Sequence, residues 1–306
     1  MKALFVTKPT QLEDLRLHEI EIASINPNQI LVRMKAAGMN PIDWQTPAYN
    51  HFETLNLQFP FTMGSDFSGI VEQIGADVSN FKIGDEVFGA FKLNIQGAFA
   101  EYGVIDEALL VHKPKNISHI QAAGIPLVSI TALQALFDKL DLQAGQKILI
   151  QAAAGGVGIF AVQLAKLKGA YVVAVGSGKN YEFLKSLGAD EVFDYNDDFG
   201  SLPKDFDAVL DSMNASEQTF KVLKKGGKYV SIASAPSQEL AISLGITATN
   251  FLYDSNATQL KQIADLIEDE KLKVFVDKTF PFENVVTALE YQKNGRSRGK
   301  NILTFQ

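Results

Sequence analysis

A chain of 306 residues, 46% of them hydrophobic and 21% charged, has room for about two domains with buried cores. Its net charge of −7, with no Lys/Arg run longer than two, argues against a nucleic-acid partner bound through its phosphate backbone. The absence of cysteine excludes disulfides and every thiolate metal site.

The N-terminal MKALFVTKPTQLED carries an apolar run of four residues before polar and acidic ones arrive. That is too short for a signal-peptide core and reads as a first strand. Short strands are expected at 4–6, 30–36, 69–75, 85–91 and 99–105, separated by Gly, Asn and Asp. GADVSNFKIGDEV predicts two turns bracketing a short strand, with Gly84-Asp85 at the second turn.

From about residue 120 helices and strands alternate. A helix over 120–140 precedes the strand KILIQA, a helix to Lys168 and the strand YVVAVG. YEFLKSLGA then reads as a helix, and EVFDY, FDAVLDS and GGKYVSIAS as strands. Apolar bursts of four or five residues at helical separations indicate a parallel sheet buried on both faces. A helix over 258–270 and an αβ tail over 283–305 close the chain. The expected fold class is α/β: a β-rich domain built from the N-terminal part and the tail, with a doubly wound domain inserted. Residues 116–137 and 148–165 lack charge over 22 and 18 positions, yet Gly, Gln, Ser or Pro interrupts both, so no membrane partner is expected and the expected location is cytoplasmic.

KILIQA runs into AAGGVG and then IFAVQLAKLKGA. Gly155 and Gly158 keep the spacing of the second and third glycines of the G-x-G-x-x-G fingerprint, with Ala153 in the first place. The pattern follows a predicted strand and opens a helix with apolar Phe160, Leu164 and Leu167, the context a dinucleotide loop requires. Backbone groups of Gly155, Gly156 and Val157 are candidate pyrophosphate contacts at the positive end of that helix.

The next strand ends in VVAVGSGKN, about 20 residues beyond the loop, where an NAD site offers a carboxylate to the ribose hydroxyls. Gly176 and Ser177 stand there instead. Small residues leave room for a 2′-phosphate, Lys179 supplies charge, and Tyr195 after EVFD supplies a hydroxyl. Each hydrogen bond between a partly buried phosphate and a cation contributes roughly 1.5–3 kcal/mol, enough for about a ten- to hundred-fold preference. NADPH is the expected cofactor. Tyr181 and Lys185 also form a Y-x-x-x-K pair, but too soon after the glycine loop to be the catalytic pair of a short-chain dehydrogenase.

The blocks AAGMNPIDW (36–44), GSDFSGIVEQIG (64–75), FKIGDEVFG (81–89), GAFAEY (97–102), AAAGGVG (152–158), SLGADEVFDY (186–195), GGKYV (226–230) and GRSRGK (295–300) follow in an ordered series. With them the chain resembles the medium-chain dehydrogenases/reductases, in their zinc-independent quinone oxidoreductase branch, over nearly its whole length. Zinc alcohol dehydrogenases place a cysteine ligand where this chain has Asn40, and the histidine of a G-H-E block where it has Ser65. Their four-cysteine zinc lobe is replaced by GAFKLNIQGAFAEY, and His18, His51, His112 and His119 show no paired ligand spacing. No metal site is expected, nor alcohol oxidation in the zinc manner.

The resemblance implies a GroES-like catalytic domain over 1–122 and 274–306 and a Rossmann NADPH-binding domain over 123–273. It implies hydride transfer to a quinone or an α,β-unsaturated carbonyl compound, and a homodimer. Asn40 and Thr131 would lie beside the nicotinamide, Thr131 opening a T-A-L turn, with Lys300 near the cofactor. Trp44 and Tyr49 would form an aromatic wall for a flat acceptor, or be ordinary core or lid aromatics. Tyr49 is the candidate proton donor, with water as the alternative. A different class stays open beside this one, a cofactor-binding structural or sensing protein with little turnover.

Overall fold

The structure, a computed structural model, describes residues 1–49, 51–95, 97–295 and 297–306; Arg296 of the GRSRGK block lies outside the described residues. The chain divides into two compact units, 1–127 with 255–306 and 128–254. This division differs from the expected bounds at both crossings, because 123–127 and the helix Ala257–Glu268 group with the first unit. That helix buries Leu260, Ile263, Ala264 and Ile267, and the Asn116 side-chain amide of the same unit donates to the Ile267 carbonyl at 2.8 Å.

The first unit is organised by the strand Gln29–Gly38, whose QILVRMKAAG is buried at most positions. It pairs antiparallel with Asp66–Ile74 along one edge and with Tyr102–Asp106 and Lys300–Thr304 along the other. Register puts Gly38 opposite Asp66 on one side and Ile302 on the other. Asn40, two residues beyond Gly38, and Lys300, two before Ile302, therefore meet at one end of the sheet. A Cβ on Gly38 would stand 2.1 Å from the Ala123 carbonyl oxygen, so the end of helix His119–Ala123 rests directly on this backbone.

Two local expectations fail here for identifiable reasons. No strand forms between the turns of GADVSNFKIGDEV, although Gly84 takes its turn with φ +90°. The Glu107 carboxylate collects the backbone N–H groups of Ser79 and Asn80, at 3.0 and 2.6 Å, and holds the segment as a loop. The single helix expected over 120–140 is instead His119–Ala123, then Pro126–Leu133, then a π-helical stretch Gln134–Lys139. Pro126 has no N–H to continue the first helix and opens the second. Thr131 consequently sits inside a helix and not at a turn.

The second unit is a six-stranded parallel sheet in the order Glu191–Asp194, Tyr171–Gly176, Lys147–Ile150, Phe206–Asp211, Leu223–Ser231, Thr247–Asn250. This is the doubly wound order, and ligands of such sheets bind at the carboxyl ends of the strands. Leu149, Val173, Val209, Phe206, Phe220 and Tyr229 fill a core on the sheet. Helix Gly156–Leu167 is buried along Gly158–Ala165. Among the described residues no helix is long and apolar enough to cross a membrane.

Candidate functional site

In the first unit, the sheet register assembles a buried polar centre from Asn40, Asp43, Asp66 and Lys300. Pro41 opens the helix Pro41–Ala48, and the Asp43 carboxylate accepts the N–H of Asn40, the N-cap residue, at 2.7 Å. Lys300 Nζ donates to Asn40 Oδ1 at 2.5 Å and lies 3.3 Å from Asp66 Oδ2. Asn40 Nδ2 donates to the same Asp66 oxygen at 3.0 Å, and the Leu127 N–H binds the other at 2.9 Å. The Asn40 amide is thus held in one orientation from both ends.

All four side chains are buried, so their charges interact strongly. Burial pushes the Asp43 carboxyl up to about 7, against the opposing pull of the Asn40 N–H and of Lys300. Burial also raises Asp66 and lowers Lys300, and their ion pair resists both changes. Lys300, expected near the cofactor, is committed to Asn40 and Asp66. Nothing in sequence spacing could have paired it with residues over 230 positions away. Ser65, in the place of a zinc-ligand histidine, donates its hydroxyl to the Phe91 carbonyl at 2.7 Å.

The glycine loop has the geometry a pyrophosphate requires. A Cβ on Gly158 would lie 2.4 Å from the Ala152 carbonyl oxygen and 2.6 Å from Ala153 Cα, so helix and loop meet there backbone to backbone. Ala153 donates its N–H to the Val175 carbonyl at 2.9 Å, which ties the loop to the neighbouring strand. A Cβ on Gly155 would meet only the Ala152 carbonyl oxygen, at 3.2 Å. The Gly155 N–H donates to that carbonyl at 2.9 Å. Gly156 and Val157 open the helix, where helical geometry leaves their N–H groups without an intrahelical acceptor. The loop fits a dinucleotide.

The turn expected to read a 2′-phosphate is brought together by strand pairing. Gly176 pairs in register with Asp194, and the Tyr195 N–H reaches the Gly176 carbonyl at 3.1 Å. Tyr195 therefore stands beside Gly176 and Ser177, with its ring and the Lys179 side chain exposed. The register adds a residue that was not foreseen. Asp194 accepts the Gly178 N–H at 2.6 Å and the Asn196 N–H at 2.9 Å. An acid is absent from VVAVGSGKN itself but arrives from the adjacent strand, a neighbour the EVFDY stretch signals once the strands are paired in parallel.

Trp44 is half-buried and Tyr49 is 62% exposed, with ring centroids 5.8 Å apart. Thr131 is buried in its helix. Of the Y-x-x-x-K pair, Tyr181 is exposed and Lys185 donates to the Asp190 carbonyl at 2.7 Å. Ser68, His119 and Glu86 form a chain of contacts resembling a hydrolase triad, with Ser68 Oγ 2.7 Å from His119 Nδ1. The Ser68 hydroxyl is fully buried and donates to the Val87 carbonyl, so it presents no nucleophile. Among the described residues no three His, Asp or Glu side chains are grouped to hold a metal ion.

A family model described as alcohol dehydrogenase GroES-like domain matches residues 26–115, and one described as zinc-binding dehydrogenase matches 187–303. The chain is 34% identical to 2-methylene-furan-3-one reductase of Solanum lycopersicum over 99% of its own length and 79% of the relative's. It has the same identity and coverages with the chloroplastic NADPH-dependent alkenal/one oxidoreductase of Arabidopsis thaliana. The solved quinone oxidoreductase from Coxiella burnetii superposes with a TM-score of 0.91 at 32% identity, covering 100% of this chain and 99% of that one. With Asn40 and Ser65 in the ligand positions, the chain belongs to the medium-chain dehydrogenase/reductase superfamily, in its zinc-independent quinone oxidoreductase branch.

Proposed function

We propose that the protein is an NADPH-dependent reductase of quinones or α,β-unsaturated carbonyl compounds. The observation that carries this reading is the Ser177–Lys179 turn beside Tyr195, in a chain whose relatives are named as NADPH-dependent alkenal/one and quinone oxidoreductases. Gly156 and Val157 would hold the pyrophosphate, and Ser177, Lys179 and Tyr195 the 2′-phosphate. When bound, NADPH supplies a hydride to the acceptor.

The chain's own residues then orient the acceptor and manage charge. Asn40, clamped between Lys300 and Asp66, is a fixed amide whose orientation requires no reorganisation during reaction. Trp44 and Tyr49 offer flat apolar surface to a conjugated acceptor, and the exposed Tyr49 hydroxyl is the proposed proton donor to an enone. A quinone product is protonated readily by water and needs no such group.

Steady-state NADPH oxidation across a panel of quinones and enones tests the proposal. Turnover of at least one class is expected. Tight NADPH binding with no turnover of any acceptor would replace it with the sensing or structural reading.

A cytoplasmic homodimer is part of the same proposal. The edge strand Thr247–Asn250 lies between the exposed Ile242 and Leu252 in sequence, an arrangement that supports pairing with a second copy. Light scattering is expected to return twice the chain mass, and a monomer at working concentration would remove the dimer from the proposal.

A further inference from the structure

The turn read as the 2′-phosphate site holds two opposed charges. On the reading above Lys179 and Tyr195 would favour a phosphate, whereas Asp194 brings a carboxylate to the same turn. Its Oδ2 accepts the Gly178 N–H at 2.6 Å, and its Oδ1 accepts Asn196 N and Nδ2 at 2.9 and 2.8 Å. The approach depends on glycine, since a Cβ on Gly178 would stand 2.6 Å from Asp194 Oδ2. Register makes the placement a property of the sheet, because Asp194 is the in-register partner of Gly176.

We propose that Asp194 is a specificity-determining residue that occupies the Gly178 N–H of this turn and repels a 2′-phosphate, holding the preference for NADPH over NADH below what Ser177, Lys179 and Tyr195 alone would set. The inference rests on the NADPH-dependent reading given above.

Two physical effects act in the same direction. Backbone N–H groups in a turn form a natural anion cradle, and here the carboxylate already takes the Gly178 N–H. A carboxylate and a phosphate dianion brought to one turn also repel, with the repulsion weakened by solvent and salt because the turn is exposed. NADH carries no 2′-phosphate and escapes both effects. The preference of the site is therefore set by an opposed pair, Lys179 for the phosphate and Asp194 against it.

Nucleotide titration of the intact protein, followed by quenching of its fluorescence, measures both affinities without turnover. Asp194→Asn keeps an acceptor for one N–H and removes the charge, and Asp194→Ser removes most of the side chain. Both variants are expected to bind NADPH about two- to five-fold more tightly with NADH affinity unchanged, the size of an exposed charge interaction. The gain should shrink in high salt. Weaker NADPH binding would show that the carboxylate serves to brace the turn, and an equal change or no change for both nucleotides would deny it any discriminating role; each of these overturns the inference while leaving the NADPH reading intact. A wild-type protein that binds neither nucleotide overturns the reading and the inference together, and that result is visible before any variant is made. Thermal unfolding of each variant confirms that a lost signal is not a lost fold.

Discussion

Asp43 shows how a single buried side chain can make the stability of the whole protein depend on pH. Burial raises its carboxyl to about 7, with Asp66 adding repulsion and the Asn40 N–H and Lys300 pulling the other way. In the unfolded chain the same group titrates near the usual carboxylate value of about 4. Between about pH 4 and pH 7 the folded protein therefore holds a proton that the unfolded chain releases, so stability falls as pH rises through this window. Each pK unit of difference is about 1.4 kcal/mol, so the change across the window is on the order of a few kcal/mol. Asp43→Asn keeps an acceptor for the Asn40 N–H and removes the titration. Urea unfolding at about pH 5 and about pH 8 should show the wild type losing stability relative to the variant at the higher pH. Identical pH slopes in the two proteins would mean that Asp43 is ionised throughout.

The two glycines of the proposed cofactor loop differ in packing, which predicts a folding role for one and a binding role for the other. Alanine at Gly158 would drive its Cβ into the backbone of Ala152 and Ala153. It is expected to destabilise the protein by about 1–3 kcal/mol and to weaken NADPH and NADH alike. Gly155 has φ −81°, which alanine adopts freely, and its Cβ would meet only the Ala152 carbonyl oxygen, at 3.2 Å. Gly155→Ala should keep most of the stability and lose affinity, because the added methyl occupies the surface that a pyrophosphate approaches. Thermal unfolding and nucleotide titration of both variants decide the matter, and equal destabilisation would remove the distinction.

The loop was legible in the sequence because strand, glycines and helix are contiguous, as were the buried strands such as Lys147–Ile150 and Tyr171–Gly176. Helix Pro41–Ala48 was not, since its two prolines and its mixed burial hide the helical period. Nor was helix Gln238–Leu244 or the strand Thr247–Asn250 that follows it, both short and partly exposed. The Asn40–Asp66–Lys300 centre was invisible as a unit, because strand register alone unites its members. Asp194 was missed for the same reason. Sequence spacing found the groups that act within one segment, and pairing between segments supplied those that act across them.

At the scale of the molecule, the glycine loop and the proposed phosphate-reading turn both lie in the unit 128–254. Nucleotide that binds the folded form and not the unfolded chain stabilises it by about 2.7 kcal/mol at a concentration of 100 times Kd. In a unit of this size that corresponds to a rise in unfolding temperature on the order of 10 °C. The chain enters this unit after Leu127 and leaves it before Ser255, so the two halves of the first unit are joined through it. If both units unfold in one step, calorimetry with NADPH should move a single transition. If they unfold separately, only the transition of the inserted unit should move while the other stays in place. NADH at the same concentration is expected to give the smaller shift, because it lacks the phosphate that Ser177, Lys179 and Tyr195 would hold. A transition that moves equally with both nucleotides would show that the turn confers no net preference between the two cofactors. One that does not move at NADPH concentrations saturating a fluorescence titration would show that binding does not favour the folded state, and would remove the glycine loop as its site.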